Sequence, residues 1–200
     1  MKTIKKSLGI LFALILPLAG CGGGDSSPPL AGGGAGVSLG QTVNAAGTVV
    51  DLNFSSAVDV NDLNQVIGYA ELTPGAPFVA ALWNVDVNGG VVTTAQRLAP
   101  IAGNDFSAAF ALDETGNAVG QSGAGTRLVA VLWAAGSGGA PTQLPDLTAA
   151  GNSKALGISP DGSFIVGEAE DATLRTRGVL WVAAAPGVFT APPVVLPFTV

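Results

Sequence analysis

The densest group of side chains that could carry out chemistry is the segment GEAED at residues 167–171, which contains Glu168, Glu170 and Asp171. Two carboxyl groups that lie about 5–9 Å apart can serve as the catalytic pair of a glycosidase. A related segment earlier in the chain, GQSGA, contains no acidic residue, and charged residues belong to most loop surfaces whether or not they function. The pattern therefore favours a solvated loop over a catalytic pair.

Other reactive side chains are scarce. The 200 residues include no histidine and a single cysteine, Cys21, which excludes histidine-based triads, histidine metal ligands and an intramolecular disulfide. The segment DVNDLNQVIG begins like a calcium loop, but Leu63 and Ile67 interrupt the alternating oxygen ligands that such a loop needs. Without a base nearby, the hydroxyl of Ser153 is expected to bond the local backbone. We predict no catalytic residue, no metal site and no cofactor.

The amino terminus has the features of an export signal. Three lysines precede an apolar run of 11 residues, Leu8–Leu18, whereas a membrane-spanning helix needs about 20. Residues 18–21, LAGC, resemble the lipobox of bacterial lipoproteins, in which the cysteine is acylated and becomes the first residue. The resemblance implies cleavage between Gly20 and Cys21, a palmitate-type lipid on Cys21, and a membrane anchor. Gly22 replaces the aspartate that retains such proteins at the inner membrane, which implies the outer membrane of the cell envelope.

The segment behind this signal helix is polar and flexible in composition. Glycine, serine and proline dominate residues 21–46, so we predict a disordered tether. Cleavage of residues 1–20 leaves five basic and fourteen acidic residues, a net charge of −9. Because phosphate contacts need lysine and arginine, nucleic acid is not a predicted partner, and neither is a polybasic contact with the membrane surface.

Four sequence landmarks recur three times in the same order between residues 47 and 200. They are a Ser-x-Ala element, a glycine that ends an apolar run, a tryptophan that ends a second apolar run, and a leucine near a proline. The positions are Ser55, Ser107 and Ser153; Gly68, Gly120 and Gly167; Trp83, Trp133 and Trp181; and Leu98, Leu144 and Leu196. A spacing of about 50 residues is typical of repeat architectures, and it defines units of about 53–99, 105–145 and 151–200.

Each unit is predicted to form four short antiparallel strands. In the second unit these are residues 107–112, 117–121, 127–133 and 141–144, which are short apolar or alternating runs separated by Gly, Asn, Asp and Pro. The third strand of each unit is apolar almost throughout, so we expect it to be buried on both faces. A further strand, at residues 48–52, precedes the first unit. The predicted fold class is all-β.

The turns between the first and second strands have related sequences, NDLN, DETG and SPDG. A type I turn favours Asn, Asp or Ser first and Pro second, and the fourth residue takes positive φ when a bulge follows. Asn64, Gly116 and Gly162 occupy that fourth position. We therefore predict that these three residues close hairpins.

The repeated tryptophans have two possible roles. Aromatic rings can stack on sugars, and they can also pack between repeats. Each tryptophan ends an apolar strand, which favours packing between repeats at Trp83, Trp133 and Trp181.

The period, the four strands and the single tryptophan per unit suggest the blades of a partial or atypical β-propeller. The residues resemble the bacterial extracellular HAF repeats, which combine a leucine element, a Ser-x-Ala, an Ile-Asn-Asp-x-Gly turn, a Val-Val-Gly strand and a His-Ala-Phe-x-Trp strand. Residues 144–169 follow this pattern closely, whereas the His-Ala-Phe tripeptide is replaced in all three units. The resemblance implies an exported, β-rich, propeller-like repeat protein, and it implies no activity.

These inferences predict a lipid-anchored binding or scaffolding module at the cell envelope, with an unidentified protein or glycan as its ligand. The alternative is a carbohydrate-active or lyase-type propeller enzyme that uses Asp and Glu.

Closed propellers have about four to eight blades, so three units leave an open sheet edge, and such edges pair with other chains. Weak self-association through the terminal units, an atypical closure and a truncated member of a longer family are the explanations left open.

Overall fold

The computed structural model describes residues 41–43, 49–51, 53–86 and 91–197 of the chain. These residues form strands and turns without a helix, and none of them belongs to a helix that could cross a membrane. The predicted signal helix, Gly20, Cys21 and nearly all of the tether lie outside the described residues. The all-β fold class is confirmed.

Fourteen strands make up the described fold. In chain order they are β1 (Gln41–Val43), β2 (Val49–Asp51), β3 (Phe54–Val60), β4 (Gln65–Glu71), β5 (Val79–Asp86), β6 (Val91–Leu98), β7 (Phe106–Leu112), β8 (Ala118–Ala124), β9 (Arg127–Trp133), β10 (Pro141–Gln143), β11 (Ser153–Ile158), β12 (Phe164–Glu170), β13 (Thr176–Val182) and β14 (Val194–Val195).

Twelve of these strands form three antiparallel sheets, one for each repeat. The first sheet has the order β3-β4-β5-β6, the second β7-β8-β9-β10 and the third β11-β12-β13-β14. Each sheet is a meander, because strands that follow one another in the chain are antiparallel neighbours in the sheet. The prediction of three units with four short antiparallel strands is confirmed.

A separate two-stranded sheet, β1-β2, precedes the three larger ones. Its second strand falls at the additional strand predicted for residues 48–52. Its first strand, Gln41–Val43, lies inside the segment predicted to be a disordered tether, so that prediction is wrong for these residues. The glycine-rich composition ends at Gly40, and the residues that follow include Thr42 and Val43, both of which favour strands.

Each larger sheet has a β-bulge in its first strand, opposite the landmark glycine. In the second sheet the register shifts between Ala109 and Ala111, and Gly120 lies opposite Ala109; the first and third sheets shift at equivalent positions. A Cβ atom on Gly120 would lie 2.0 Å from the carbonyl oxygen of Ala108. The other landmark glycines have the same close contact with a carbonyl oxygen, at 1.8 Å for Gly68 and 2.0 Å for Gly167. Close approach of the bulged strand therefore requires glycine at this position.

The three sheets pack on one another in chain order. The first strand of each later sheet, β7 or β11, contacts the first three strands of the sheet before it. The interface of the first and second sheets buries Ile67, Ala80, Leu82, Leu98, Ala109, Leu112, Ala118, Val129, Val131 and Trp133. The interface of the second and third sheets buries Ala111, Val119, Ala130, Leu132, Leu144, Ala155, Ile165, Ala169, Val179 and Trp181. Removal of this apolar surface from water holds the sheets together.

The prediction that every third strand is buried on both faces holds for β5 and β9 and is wrong for β13. Residues 79–83 of β5 and 129–133 of β9 are buried without interruption. In β13 burial alternates, with Val179 and Trp181 buried and Gly178 exposed. The reason is that β13 belongs to the last of the three sheets, and residues on its second face, such as Gly178 and Val182, are exposed.

Candidate functional site

The three hairpin turns between first and second strands have the predicted backbone. The φ angle is 61° at Asn64, 91° at Gly116 and 69° at Gly162. In each turn the amide of this residue donates a hydrogen bond to the carbonyl oxygen three positions earlier, across 3.2 Å, 3.3 Å and 2.9 Å respectively. The three residues therefore close hairpins.

The first residue of these turns caps them with its side chain and joins one turn to the next. Asp113 is fully buried; its Oδ1 accepts a hydrogen bond from the Asn117 amide at 2.8 Å, and its Oδ2 accepts one from Asn117 Nδ2 at 2.7 Å. Asn61 Nδ2 of the first turn donates to the carbonyl oxygen of Asp113 at 3.0 Å. The amide of Glu114 donates in turn to the carbonyl oxygen of Pro160 at 3.3 Å. These polar groups hold the turns against each other.

An exposed carboxylate in the third turn is also engaged locally. The hydroxyl of Ser159 donates to Asp161 Oδ1 at 2.6 Å, and the amide of Ser163 donates to it at 3.1 Å. These hydrogen bonds lower the pKa of Asp161 to about 2. The bond from the Ser159 hydroxyl has the largest effect, and the bond from the Ser163 amide has the next largest. A general acid needs a pKa near the working pH, so Asp161 is unsuited to that role.

Asp171 and Glu170 of the GEAED segment both accept hydrogen bonds from nearby groups. Asp171 opens the turn between β12 and β13, where its Oδ1 accepts from the Thr173 hydroxyl at 2.6 Å and its Oδ2 accepts from Arg177 Nε at 2.8 Å. These two bonds, the first with the larger effect, lower the pKa of Asp171 below its ordinary value. Glu170 Oε2 accepts from the Asn152 amide at 2.9 Å. Asp171 is therefore a capping residue of the hairpin.

Leu174, in the same turn, was not identified from the sequence. Its φ angle is 60°, a left-handed conformation that costs a residue with a Cβ about 1–2 kcal/mol. Its side chain is 71% exposed, so little burial is lost when it is removed. We predict that Leu174→Gly raises the free energy of unfolding by about 1 kcal/mol, which would appear as a higher urea midpoint.

Leu63 provides the matched control for this prediction. It is an exposed leucine in the turn between β3 and β4, and it is not among the residues with positive φ. Leu63→Gly is therefore expected to leave the urea midpoint unchanged or lower it, because glycine adds entropy to the unfolded chain. A midpoint for Leu174→Gly at or below that of the unaltered protein would contradict the prediction.

The three repeat tryptophans are buried, with Trp83, Trp133 and Trp181 exposed by 0%, 1% and 0%. Trp133 Nε1 donates to the carbonyl oxygen of Ala99 at 2.8 Å, and Trp181 Nε1 donates to that of Pro145 at 2.8 Å. Ala99 follows the last strand of the first sheet and Pro145 that of the second. Each bond therefore joins a sheet to the one before it, and the ring faces are closed to a sugar.

The serine of the Ser-x-Ala element also joins neighbouring sheets. Ser107 Oγ accepts a hydrogen bond from the Ala80 amide at 2.9 Å and donates to the Leu98 carbonyl oxygen at 3.0 Å. Ser153 Oγ accepts from the Ala130 amide at 2.9 Å. The expectation that Ser153 bonds the local backbone is therefore wrong. Its hydroxyl points across the interface into the preceding sheet, where it meets a backbone amide 23 residues earlier.

One face of the third sheet has the residues of an interface, yet most of these residues are exposed. The positions that pack on the next sheet are Ile67, Ala80, Leu82 and Leu98 in the first sheet and Val119, Ala130, Leu132 and Leu144 in the second. The equivalent residues of the third sheet, with one from its bulge, are here called the receiving face: Leu156, Val166, Gly178, Leu180 and Leu196.

Exposure separates the receiving face from its counterparts. Val166 and Leu196 are 45% and 49% exposed, whereas the equivalent residues of the first two sheets are at most 6% exposed. The backbone equivalence is close, since the Leu196 amide donates to the Gly178 carbonyl oxygen at 2.9 Å, as the Leu144 amide does to that of Ala130. The third sheet thus exposes side chains whose equivalents in the first two sheets are buried against the next sheet.

A polar pocket of about 170 Å³ lies where the second and third sheets meet. Its lining includes Asn152, Lys154, Glu168 and Glu170, and Lys154 lies directly opposite Glu168 in the β11–β12 ladder. The pocket is smaller than the roughly 300–1,000 Å³ of sites for drug-sized ligands. Its size and its mixture of charges and hydrogen-bonding groups suit one sugar unit or one polar side chain.

In the described part of the chain, no group of three His, Cys, Asp or Glu side chains is arranged to hold an ion. The segment at 59–68 that begins like a calcium loop is a hairpin, in which Asn61 Oδ1 accepts from the amides of Leu63 and Gln65 at 3.1 Å and 3.0 Å.

The fold and these contacts define an all-β protein in which serine and tryptophan side chains join successive four-stranded sheets. No protein-family model matches the chain, and no curated protein matches it in sequence. Its function therefore has to be inferred from the receiving face, the polar pocket and the amino-terminal motif.

Proposed function

We propose that the chain is a binding or scaffolding module of the bacterial cell envelope, built as a partial β-propeller with three blades. The observation that carries this proposal is the use of the repeated side chains. Ser107, Ser153, Trp133 and Trp181 each join two sheets through a hydrogen bond of 2.8–2.9 Å. Repeats whose landmark residues serve packing form an extended, rigid support, and the receiving face and the polar pocket are left for partners.

The proposed attachment is a lipid on Cys21. The basic, apolar and LAGC segments follow the order of a lipoprotein signal, and Gly22 favours the outer membrane as the destination. Each buried methylene contributes about 0.8 kcal/mol, so two or more acyl chains anchor a protein stably. The glycine-rich tether would hold the blades away from the membrane surface.

Replacement of the lipidated residue tests this attachment. We predict that Cys21→Ser abolishes incorporation of a fatty-acid analogue, because serine has no thiol to receive the diacylglycerol. The protein should also keep its signal peptide, which gel mobility or mass spectrometry would detect. Equal labelling of the two proteins would contradict the lipobox assignment.

The binding role is tested with glycan and peptide arrays. We expect the polar pocket to take a short polar ligand, with Lys154 and Glu168 supplying charged contacts. Glu168→Gln should weaken any signal, whereas Asp105→Asn removes an exposed acid outside the pocket and should leave it unchanged. Equal binding by the two variants would remove the pocket from the proposal.

The alternative function, a carbohydrate-active enzyme, is favoured by one observation. Glu168 and Glu170 both line the polar pocket, and glycosidases place two carboxyl groups around the scissile bond. Against it, Glu170 already accepts a backbone hydrogen bond from Asn152. Release of reducing sugar from a glycan that binds on the array, lost in Glu168→Gln, would replace the binding role with catalysis.

A further inference from the structure

Three aromatic rings form a group at one end of the first sheet, here called the aromatic cluster: Phe54 at the start of β3, Tyr69 in β4 and Phe78 directly before β5. The centroid of the Phe78 ring lies 5.5 Å from that of Phe54 and 5.4 Å from that of Tyr69, and both pairs meet edge to face. The centroids of Phe54 and Tyr69 lie 6.3 Å apart, with 28° between the ring planes. The rings therefore hold one another in defined orientations.

The aromatic cluster is open to solvent. Phe54 is 45% exposed, and Tyr69 and Phe78 are half-buried. A ring that only stabilised the fold would gain from complete burial, as the repeat tryptophans do, whose exposure is at most 1%. The cluster therefore presents an aromatic surface that lies outside the core.

The aromatic cluster and the polar pocket occupy the same positions in two different sheets. The positions are matched by the Ser-x-Ala serine, by the landmark glycine, and by the register of the second and third strands. The matched pairs are Phe54 with Asn152, Tyr69 with Glu168, and Phe78 with Thr176. Asn152, Glu168 and Thr176 all line the polar pocket, so one location in the repeat is aromatic in the first sheet and polar in the third.

This change of residue type separates these positions from those that build the fold. The serine, glycine and tryptophan of the repeat are the same in all three sheets, and they form bulges or join neighbouring sheets. The fold tolerates phenylalanine or asparagine at the first of the three matched positions, and tyrosine or glutamate at the second. Packing therefore does not determine these residues, which leaves contact with a ligand as their common role.

We propose that the aromatic cluster is a binding subsite for a sugar ring of a glycan. The C–H groups on one face of a sugar ring pack on an aromatic ring, for which Phe54 is the most accessible member of the cluster. Tyr69 supplies a hydroxyl, and the Glu71 carboxylate lies directly opposite Phe54 in the β3–β4 ladder. Both groups can exchange hydrogen bonds with sugar hydroxyls. The inference rests on the proposed binding function and specifies its ligand.

A glycan fits these groups better than the other ligands that stack on aromatic side chains. Nucleic acid is disfavoured by the net charge of −6 for the whole chain. Proline-rich peptides also bind aromatic surfaces, but proline has no backbone N–H, so such a peptide offers mainly hydrogen-bond acceptors. The carboxylates of Glu71, Glu168 and Glu170, at and around the matched positions, are acceptors as well. Sugar hydroxyls donate, and they complement these groups.

Binding to an array of glucose, N-acetylglucosamine, mannose and xylose oligosaccharides tests the subsite with the full-length protein in a mild detergent. We expect Phe54→Leu, which keeps an apolar side chain but has no ring, to weaken the strongest binding about tenfold. Phe54→Tyr keeps the ring and should bind like the unaltered protein. The matched control is Phe164→Leu, because Phe164 is 46% exposed and lies in the third sheet, away from the cluster; its binding should be unchanged.

The same array, with proline-rich peptides added, separates this inference from the proposed function. Urea midpoints check that each variant is folded. Equal binding by Phe54→Leu and Phe164→Leu, or no binding to these oligosaccharides, would overturn the inference. Weaker glycan binding in Glu168→Gln together with unchanged binding in Phe54→Leu would also overturn it, and would leave the polar pocket as the binding site. Peptide binding that depends on Phe54, without glycan binding, would replace the sugar with a peptide and retain the binding function.

Discussion

Replacing Gly120 with alanine is expected to lower the free energy of unfolding by about 3 kcal/mol, the upper end of the range for overpacked cores. The new Cβ would lie 2.0 Å from the Ala108 carbonyl oxygen and 2.9 Å from Ala109 Cα. Both are backbone atoms of the bulge in β7, so no flexible side chain can move away to make room. The variant must therefore widen the β7–β8 ladder or lose the bulge. Urea unfolding followed by tryptophan fluorescence measures the effect.

Gly178→Ala is the matched control, since Gly178 also lies within a strand. Its new Cβ would have only the Leu196 Cδ1 atom within 4 Å, at 3.8 Å, which is an ordinary contact. We expect its effect to stay within about 0.5 kcal/mol, as for most surface substitutions. If Gly120→Ala and Gly178→Ala had the same urea midpoint, the bulge would not be the reason for the repeat glycine.

The hairpin turns could be predicted from the sequence because their chemistry is local. Positive φ at Asn64, Gly116 and Gly162 follows from four consecutive residues and the preferences of one turn type. The strands could be predicted from the same turn residues, since each apolar run ends at a turn. The turn at Leu174 was missed because leucine carries no such signal, although Asp171 and Thr173 before it are the side chains of a capped turn.

The roles of the repeated glycine and serine could not be predicted, because their partners lie far away in the sequence. Gly120 is constrained by a bulge in the neighbouring strand, and the Ser107 hydroxyl meets an amide 27 residues earlier, in another sheet. The repeat of these residues along the sequence shows that they recur, but it does not identify the groups that they contact. The same limit applies to β13: its apolar sequence predicts two buried faces, and whether a sheet covers the second face depends on how many sheets follow.

The acidic candidates illustrate how local geometry decides between chemistry and structure. The sequence favoured a solvated loop for Glu168, Glu170 and Asp171. Asp171 caps a hairpin, whereas Glu168 and Glu170 border a polar pocket. A cluster in sequence is therefore two separate features in space, because the strand ends at Glu170 and the turn begins at the next residue.

Removal of the Ser107 hydroxyl should have the second largest effect. Ser107→Ala leaves the Ala80 amide and the Leu98 carbonyl oxygen without the partner that they share. Ser107 is fully buried, so water cannot replace the hydroxyl without opening the interface. A buried polar group that loses its partner costs about 1–3 kcal/mol, and we expect a decrease of about 2 kcal/mol in the free energy of unfolding, measured from urea midpoints.

Ser55→Ala makes the same chemical change at the equivalent position of the first larger sheet, which has no four-stranded sheet before it in the described chain. Ser55 is half-buried, and the alanine of the same element, Ala57, is exposed, so its replacement should alter the free energy of unfolding by less than about 0.5 kcal/mol. Ser153→Ala should resemble Ser107→Ala, because its hydroxyl accepts from the Ala130 amide in the same way. Equal midpoints for the Ser55 and Ser107 variants would show that the serine stabilises its own strand and does not join the sheets.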